Sequence, residues 1–209
     1  MDFVALVHEC APWASAQTMA AIVRRESGFK PLAIGINGGA KLQRQPASKD
    51  EAVATSNWLI ANGYNIDLGL AQINSSNLAK LNLTVADAFD SCRNVAAAAT
   101  LLSWNFRSAK AKFPGDQDAL LAAISTYNTG SMTRGFANGY VHGVVANAGY
   151  ALPKVAIPQV GNSNAAGKLA TRGQTAKPVS SQLNVEPSTQ YLKADGSMGS
   201  VKTYQLSFD

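Results

Sequence analysis

The sequence predicts a mainly α-helical domain over residues 1–153, followed by a tail over residues 154–209. Apolar residues recur at helical spacing in several segments before Pro153, and residues that cap or end helices bound those segments. Beyond Pro153 the composition shifts to Gly, Ser, Asn, Gln, Ala and Thr, and the apolar periodicity disappears. Such a segment buries too little apolar surface to offset its conformational entropy, so we expect a disordered tail.

The composition is that of a soluble globular protein, with 46% hydrophobic and 15% charged residues in a chain of 209. Residues 1–150 hold 12 Lys and Arg against 10 Asp and Glu, and the net charge of +5 never gathers into a basic run. This pattern argues against a nucleic-acid partner. No apolar stretch has the roughly 18 residues of a membrane span, and no signal peptide is evident at the N-terminus.

Residues 2–10 are predicted to form a short amphipathic helix that ends before Pro12. A second helix is expected to begin near Ser15 and to end at Glu26, because Gly28 supplies a C-terminal stop. A carboxylate on the last turn faces the negative end of the helix dipole, so its pKa should rise.

Glu26 therefore has two interpretations. A raised pKa suits a general acid, whereas the neighbouring Arg24 and Arg25 are also compatible with an ordinary solvated glutamate on the surface. The helical pattern alone does not choose between them.

The segment 31–39 is rich in glycine and begins with Pro31, which predicts an irregular or hairpin-like structure that either lines a groove or forms a plain surface turn. The pattern Ser48-x-x-Glu51 matches a capping box and predicts a helix that ends at Asn62-Gly63. Gln72 lies in an apolar stretch, where it is either an amide facing a ligand or a core amide bonded to backbone.

Further helices are predicted after this stretch, and all of them begin at polar or acidic residues. They cover Ser75 to Leu81, a short segment from Thr84, the long alanine-rich run Ser91 to Lys112, a helix from Asp116 to about Tyr127, and a last helix from about Asn138 to Tyr150.

Four ordered motifs resemble the soluble lytic transglycosylase domain over roughly residues 5–150. They are Glu26-Ser27 at a helix end, Gly-Leu-Ala-Gln-Ile-Asn at 69–74, Ser-Thr-Tyr-Asn at 125–128, and Tyr140-Val141-x-x-Val144. Cys-Ala-Pro near the start, Pro-Leu-Ala-Ile-Gly at 31–35 and the insertion at 38–63 are similar to the VirB1 branch, the peptidoglycan-cleaving accessory proteins of type IV secretion systems.

The resemblance implies a lysozyme-like α+β fold, with a small irregular or β segment beside a glycan cleft. It implies that Glu26 is the catalytic acid and base of a peptidoglycan lytic transglycosylase, which cleaves the MurNAc–GlcNAc β-1,4 bond and leaves 1,6-anhydro-MurNAc ends. The substrate-binding residues it implies are Ser27, Gln72, Asn74, Tyr127, Asn128 and Tyr140. Among these, Tyr127 is expected to contact Glu26.

Two departures from the family pattern concern glycan binding. Ala71 replaces a methionine of the usual Gly-Leu-Met-Gln, and Gly35 stands where many members have a hydroxyl group.

A hydrolytic lysozyme, or muramidase, would need a second acid, and no matched carboxylate is evident. Asp67 is expected to cap or turn the chain into residues 69–74, and Glu51 is assigned to its capping box. A muramidase and a non-catalytic glycan-binding scaffold remain the alternative functions.

On composition alone, Cys10 and Cys92 either form a disulfide or remain as two buried free thiols. The bacterial periplasm that the resemblance implies favours the disulfide.

The expected partners are peptidoglycan strands and, through the C-terminal tail, other secretion-system components. No cofactor or metal is expected. The tail beyond residue 158 should be dispensable for cleavage, either as an inert linker or as a docking segment.

Overall fold

The computed structural model describes residues 2–148, 190–192, 198–200 and 206–208. The helices, each named in chain order, are α1 (Phe3–Cys10), α2 (Ala16–Glu26), α3 (Lys49–Ala61), α4 (Val85–Ala88), α5 (Ser91–Lys110), α6 (Asp116–Thr129), α7 (Arg134–Ala137) and α8 (Tyr140–Asn147). The strands are β1 (Ile34–Ile36), β2 (Ala40–Leu42), β3 (Ile66–Leu68), β4 (Ile73–Asn74), β5 (Gln190–Leu192), β6 (Met198–Ser200) and β7 (Leu206–Phe208).

The longest helix, α5, packs against α1, α4 and α6. Helix α6 lies along α5, α1 contacts both α5 and α2, and α2 packs on α8. Their apolar faces meet in one core that buries Met19, Ile22, Val95 and Val144 almost completely. The alanines of α5 let the neighbouring helices approach closely, as their spacing predicts.

A small antiparallel sheet with the order β1-β3-β4 lies beside these helices. Ile34 pairs with Leu68 across β1 and β3, and Asp67 pairs with Asn74 across β3 and β4. The structure, mainly helical with a small sheet beside the helices, confirms the predicted fold class. The segment 31–39 contains β1 and a turn, but β1 pairs with β3 rather than with the following strand β2, so the hairpin-like form expected there is not what the structure has.

Cys10 at the end of α1 and Cys92 in the first turn of α5 form a disulfide, with their Cα atoms 5.3 Å apart. The bond joins residues 82 positions apart in sequence. In the chain-entropy view, closing a loop of that size stabilises the fold by about 4 kcal/mol.

The capping box predicted at Ser48 is half correct. The Ser48 hydroxyl accepts the Glu51 N–H at 3.2 Å, but the Glu51 carboxylate accepts from the N–H of Ala47 at 2.7 Å and pairs with Arg44. The reciprocal box instead occurs at the start of α4, between Thr84 and Asp87.

Other elements also differ from the prediction. The helix expected over Ser75 to Leu81 is a single 3-10 turn, Ser75–Asn77, followed by turns. Helix α7 was not predicted, and α8 begins after Gly139, whose φ of +78° is the left-handed conformation that glycine favours. Strands β3 and β4, one on each side of a turn at 69–72, were also not predicted.

The tail and the domain boundary at 153 stay predictions, because most of residues 154–209 lie outside the described residues. Of the tail, the structure describes three strands of three residues each. Strand β5 pairs with β6, and β7 pairs with β2, with Ala40 opposite Phe208. Among the helices that the structure describes, none is both long and apolar enough to cross a membrane.

Candidate active site

Glu26 lies at the end of α2 and faces a cavity of about 250 Å³. The helix stops there because Gly28 adopts a left-handed φ of +60°. Next to it, the Ser27 hydroxyl donates to the carbonyl of Leu70 at 2.6 Å. This bond ties the end of α2 to the turn at 69–72, so the sequence motifs that contain Glu26 and Gln72 meet in space.

Burial raises the pKa of Glu26 from 4.5 to about 7. A hydrogen bond from the Tyr140 hydroxyl and the positive charge of Arg25 act in the opposite direction, whereas the nearby Asp67 carboxylate adds to the rise. The sequence predicted the direction of this shift and attributed it to the helix dipole, but burial is its main cause. With a pKa near 7, about half of the Glu26 side chains are protonated at neutral pH.

Tyr140, rather than Tyr127, forms a hydrogen bond with Glu26. The Tyr140 hydroxyl donates to Oε1 of Glu26, and Tyr140 is 5% exposed. The side chain of Asn138 accepts the Tyr140 N–H at 3.0 Å and so fixes the start of α8, which packs on α2. Both burial and the Glu26 charge raise the pKa of Tyr140, so its hydroxyl stays a hydrogen-bond donor.

The expected contact between Tyr127 and Glu26 is therefore wrong as a hydrogen bond. The Tyr127 hydroxyl donates instead to the carbonyl of Ala71 at 2.8 Å. Tyr127 still lines the Glu26 cavity, and its pKa is raised by burial and by the charge of Glu26. Its bond holds the turn at 69–72 against α6.

Asp67 is a second carboxyl group in the Glu26 cavity, and its predicted role as a cap or turn residue is wrong. It lies in β3, where Asn74 donates to its Oδ1 at 2.7 Å and Asn37 to its Oδ2 at 3.0 Å. Burial raises the pKa of Asp67, while these two hydrogen bonds lower it. The site therefore holds two carboxyl groups, in different surroundings.

The amide of Gln72 lines the cavity, but its NH₂ group is bonded to backbone. It donates to the carbonyls of Ala33 at 3.1 Å and Gly69 at 2.9 Å and thereby joins the turn to the segment before β1. A Cβ atom at Gly35 would come within 2.7 Å of the Gln72 Oε1 atom. A side chain at position 35 would therefore collide with Gln72 as it is placed here.

Ala71, the other departure from the family pattern, is fully buried and does not line the cavity. Its main chain is held from both sides, since its N–H bonds to Asn94 and its carbonyl to Tyr127.

Asn94 is a residue that the sequence analysis missed. It is 1% exposed in α5, where its Oδ1 accepts the Ala71 N–H at 2.8 Å and its Nδ2 donates to the carbonyls of Leu68 and Ala88. A Cβ atom at Gly69, whose φ is +75°, would lie 2.3 Å from the Ala88 carbonyl and 2.5 Å from the Asn94 amide. A polar residue on the apolar face of a long helix was the available signal.

The other predicted site residues divide between the cavity and its surroundings. Asn74 and Asn128 line the cavity, whereas Ser27 and Tyr140 lie behind it and bond to Leu70 and Glu26. The sequence analysis did not single out three further asparagines of the lining, Asn37, Asn65 and Asn77.

These asparagines make the cavity polar and rich in amides, which can both donate and accept hydrogen bonds. A carboxyl group that exchanges its proton near neutral pH, at the wall of such a cavity, is suited to acid and base catalysis on a polar substrate. The fold and site thus define a protein of the lysozyme-like, glycan-cleaving class.

Comparison with known proteins agrees with that class. The family model described as Transglycosylase SLT domain matches residues 5–145. The chain is 42% identical to the type IV secretion system protein virB1 of Brucella abortus (strain 2308) over 207 residues, which cover 94% of this chain and 87% of the relative. It is 37% identical to the protein virB1 of Agrobacterium fabrum (strain C58) over 153 residues, which cover 73% of this chain and 61% of the relative.

This protein belongs to the transglycosylase SLT domain family and, within it, to the VirB1 proteins, as the resemblance predicted. No solved structure matched the chain.

Proposed function

We propose that this protein is a peptidoglycan lytic transglycosylase that cleaves the MurNAc–GlcNAc β-1,4 bond. The observation that carries this proposal is the placement of Glu26, a buried carboxyl group with a pKa near 7 at the wall of an amide-rich cavity. One such group can serve as acid in its protonated form and as base once it has lost the proton.

The reaction uses one carboxyl group twice, first as an acid and then as a base. Protonated Glu26 donates to the glycosidic oxygen as the C1–O bond of MurNAc breaks, and the substrate's own N-acetyl group stabilises the positive centre. The Glu26 carboxylate then takes the proton of the MurNAc C6 hydroxyl while that oxygen bonds to C1. The product is a 1,6-anhydro end, no water is added, and Glu26 regains its starting state.

Tyr140 holds the catalytic carboxyl group in place through both steps. Its hydroxyl donates to Oε1 of Glu26, so it stabilises the carboxylate form and leaves the other oxygen for the substrate. The raised pKa of Tyr140 prevents the tyrosine from competing as an acid. Gln72, Asn74 and Asn128 are proposed to bind the sugar from the cavity wall.

Asp67 supports a second candidate, hydrolysis by a muramidase. A hydrolase needs a second carboxylate to stabilise the glycosyl centre or to activate water, and Asp67 shares the cavity with Glu26. Two amide donors stabilise the ionised form of Asp67 against the burial that raises its pKa, whereas Glu26 accepts from the Tyr140 hydroxyl, so the two carboxyl groups have different surroundings.

We place this activity at the cell wall, in the bacterial periplasm, where it would locally open peptidoglycan for a type IV secretion system. The support is the virB1 relative, whose name assigns it to that system and which matches nearly the whole chain. The disulfide between Cys10 and Cys92 is compatible with an oxidising compartment. The C-terminal tail is proposed to contact other components of the machine.

The test is mass spectrometry of the fragments that the full chain releases from purified peptidoglycan. Anhydro-MurNAc ends, without incorporation of ¹⁸O from labelled water, are the result that we expect. Reducing ends that carry ¹⁸O would instead show the muramidase, and intact sacculi would show a protein that binds glycan without cutting it.

A further inference from the structure

A second cavity, separate from the active site, lies at the other end of α2. We call it the Trp13 groove; its volume is about 720 Å³, and it is formed by the start of α2, the middle of α5 and the start of α6. It shares no lining residue with the Glu26 cavity. Since α2 has 11 residues, its two ends are about 16 Å apart.

The Trp13 groove has the features of a site that binds an apolar chain. Leu102, Phe106 and Leu120 contribute to its wall, and Trp13 at its edge is 60% exposed. Its volume is within the roughly 300–1,000 Å³ typical of ligand-binding pockets. The exposed Trp13 side chain extends the apolar surface of this wall into water.

The course of the chain points to the occupant. The last described residue of the helical domain, Ala148, accepts a hydrogen bond from Gln17 at 2.9 Å. Gln17 belongs to the first turn of α2, the same turn whose Ser15 and Thr18 line the groove. The chain therefore leaves the domain next to the helix turn that forms part of the groove wall.

The sequence that follows is apolar. Residues 150–157 read Tyr-Ala-Leu-Pro-Lys-Val-Ala-Ile, with Lys154 as the one charged residue, and Pro158 comes next. The four residues from Ala148 to Leu152 span at most about 14 Å, which exceeds a helix diameter of roughly 10–12 Å, so Leu152 can reach past α2. Distance therefore allows Leu152 and the residues after it to enter the groove.

The prolines favour the same interpretation. Leu152 comes directly before Pro153, and Ile157 comes directly before Pro158. A residue before proline is biased towards extended conformations. Part of the entropy cost of binding an extended segment is thus already met in the free chain.

We propose that the Trp13 groove binds this chain's own segment 150–157, with the side chains of Leu152 and Ile157 against Trp13, Phe106 and Leu120. Docking there holds the start of the tail on the end of α2 remote from Glu26. The glycan cleft is left open, and the remaining tail is free to contact partners.

A photocross-linking experiment on the full chain tests this. Gln117, which is exposed and lines the groove, is replaced by p-benzoylphenylalanine. After irradiation, mass spectrometry should find cross-links within one molecule from position 117 to residues 149–158. The same photoreactive residue at Ile60, exposed on α3 and outside the groove, should give no cross-link to that segment.

Matched variants separate specific docking from mere proximity. Replacing both apolar residues, Leu152→Ser and Ile157→Ser, should lower the cross-link yield at least about fivefold, because two side chains lose their apolar contacts. Trp13→Ala should act in the same direction, and Lys154→Ser should leave the yield unchanged. An unchanged yield in the double variant, absence of the intramolecular cross-link, or a cross-linked dimer as the main product would each overturn the proposal.

Discussion

Removing the Tyr140 hydroxyl should make Glu26 a weaker acid. The hydroxyl donates to the Glu26 carboxylate and so lowers a pKa that burial has raised to about 7. A hydrogen bond to a charged group contributes about 1.5–3 kcal/mol, and one pKa unit corresponds to about 1.4 kcal/mol. Tyr140→Phe should therefore move the Glu26 pKa upward by about 1–2 units.

The assay is the pH dependence of kcat/KM on soluble glycan chains. The first chemical step needs protonated Glu26, so activity falls as pH rises through its pKa, and the alkaline limb should shift upward in Tyr140→Phe. Tyr127→Phe is the matched control, because that hydroxyl bonds to the Ala71 carbonyl and not to Glu26. An alkaline limb that stays in place, or moves downward, in Tyr140→Phe would refute this reasoning.

Three further predictions concern Asp67, Asn94 and the tail. Asp67→Asn removes a negative charge that raises the Glu26 pKa, so the alkaline limb of the kcat/KM profile should move to lower pH. The products should still carry anhydro ends. A switch in product type would contradict a reaction that uses Glu26 alone. Asn94→Leu removes the partners of three backbone groups and should lower the free energy of unfolding in urea by about 3–5 kcal/mol. Arg93→Ala, at an exposed neighbour, should lower it by less than about 1 kcal/mol. Equal effects of the two variants would show that Asn94 does not hold the turn in place. Truncation after Pro158 should leave peptidoglycan release within about twofold, and Tm within a few degrees, of the values for the full chain. The reason is that β7 adds only three residues of pairing to β2. A large loss in either quantity would place the domain boundary further along the chain.

The sequence was informative where structure depends on neighbouring residues. Helical spacing, Ser15 as a cap and Gly28 as a stop locate Glu26 on the last turn of α2, and the structure agrees with each. The same kind of signal located α5 and α6. Helix α7 was missed because its four residues carry too little periodicity, whereas the equally short α4 was found from its cap at Thr84.

Contacts through space were beyond the sequence signals. Tyr127 and Tyr140 are both tyrosines near the end or start of a helix, and only the packing of α8 on α2 selects Tyr140 as the partner of Glu26. Asp67 lies two residues before Gly69, at the approach to a turn, yet its pairing with Asn74 across two strands turns it into the cavity. Asn94 lies more than 20 residues from the turn that it holds.

The account rests most directly on Glu26 as the single acid and base. Glu26→Gln keeps the shape of the side chain and its bond to Tyr140 but removes the exchangeable proton, so turnover on purified peptidoglycan should fall at least about 100-fold. Thermal unfolding and sedimentation with sacculi, measured on the same sample, should show that folding and glycan binding are retained. Turnover above about a tenth of the wild-type rate would contradict the assignment of Glu26.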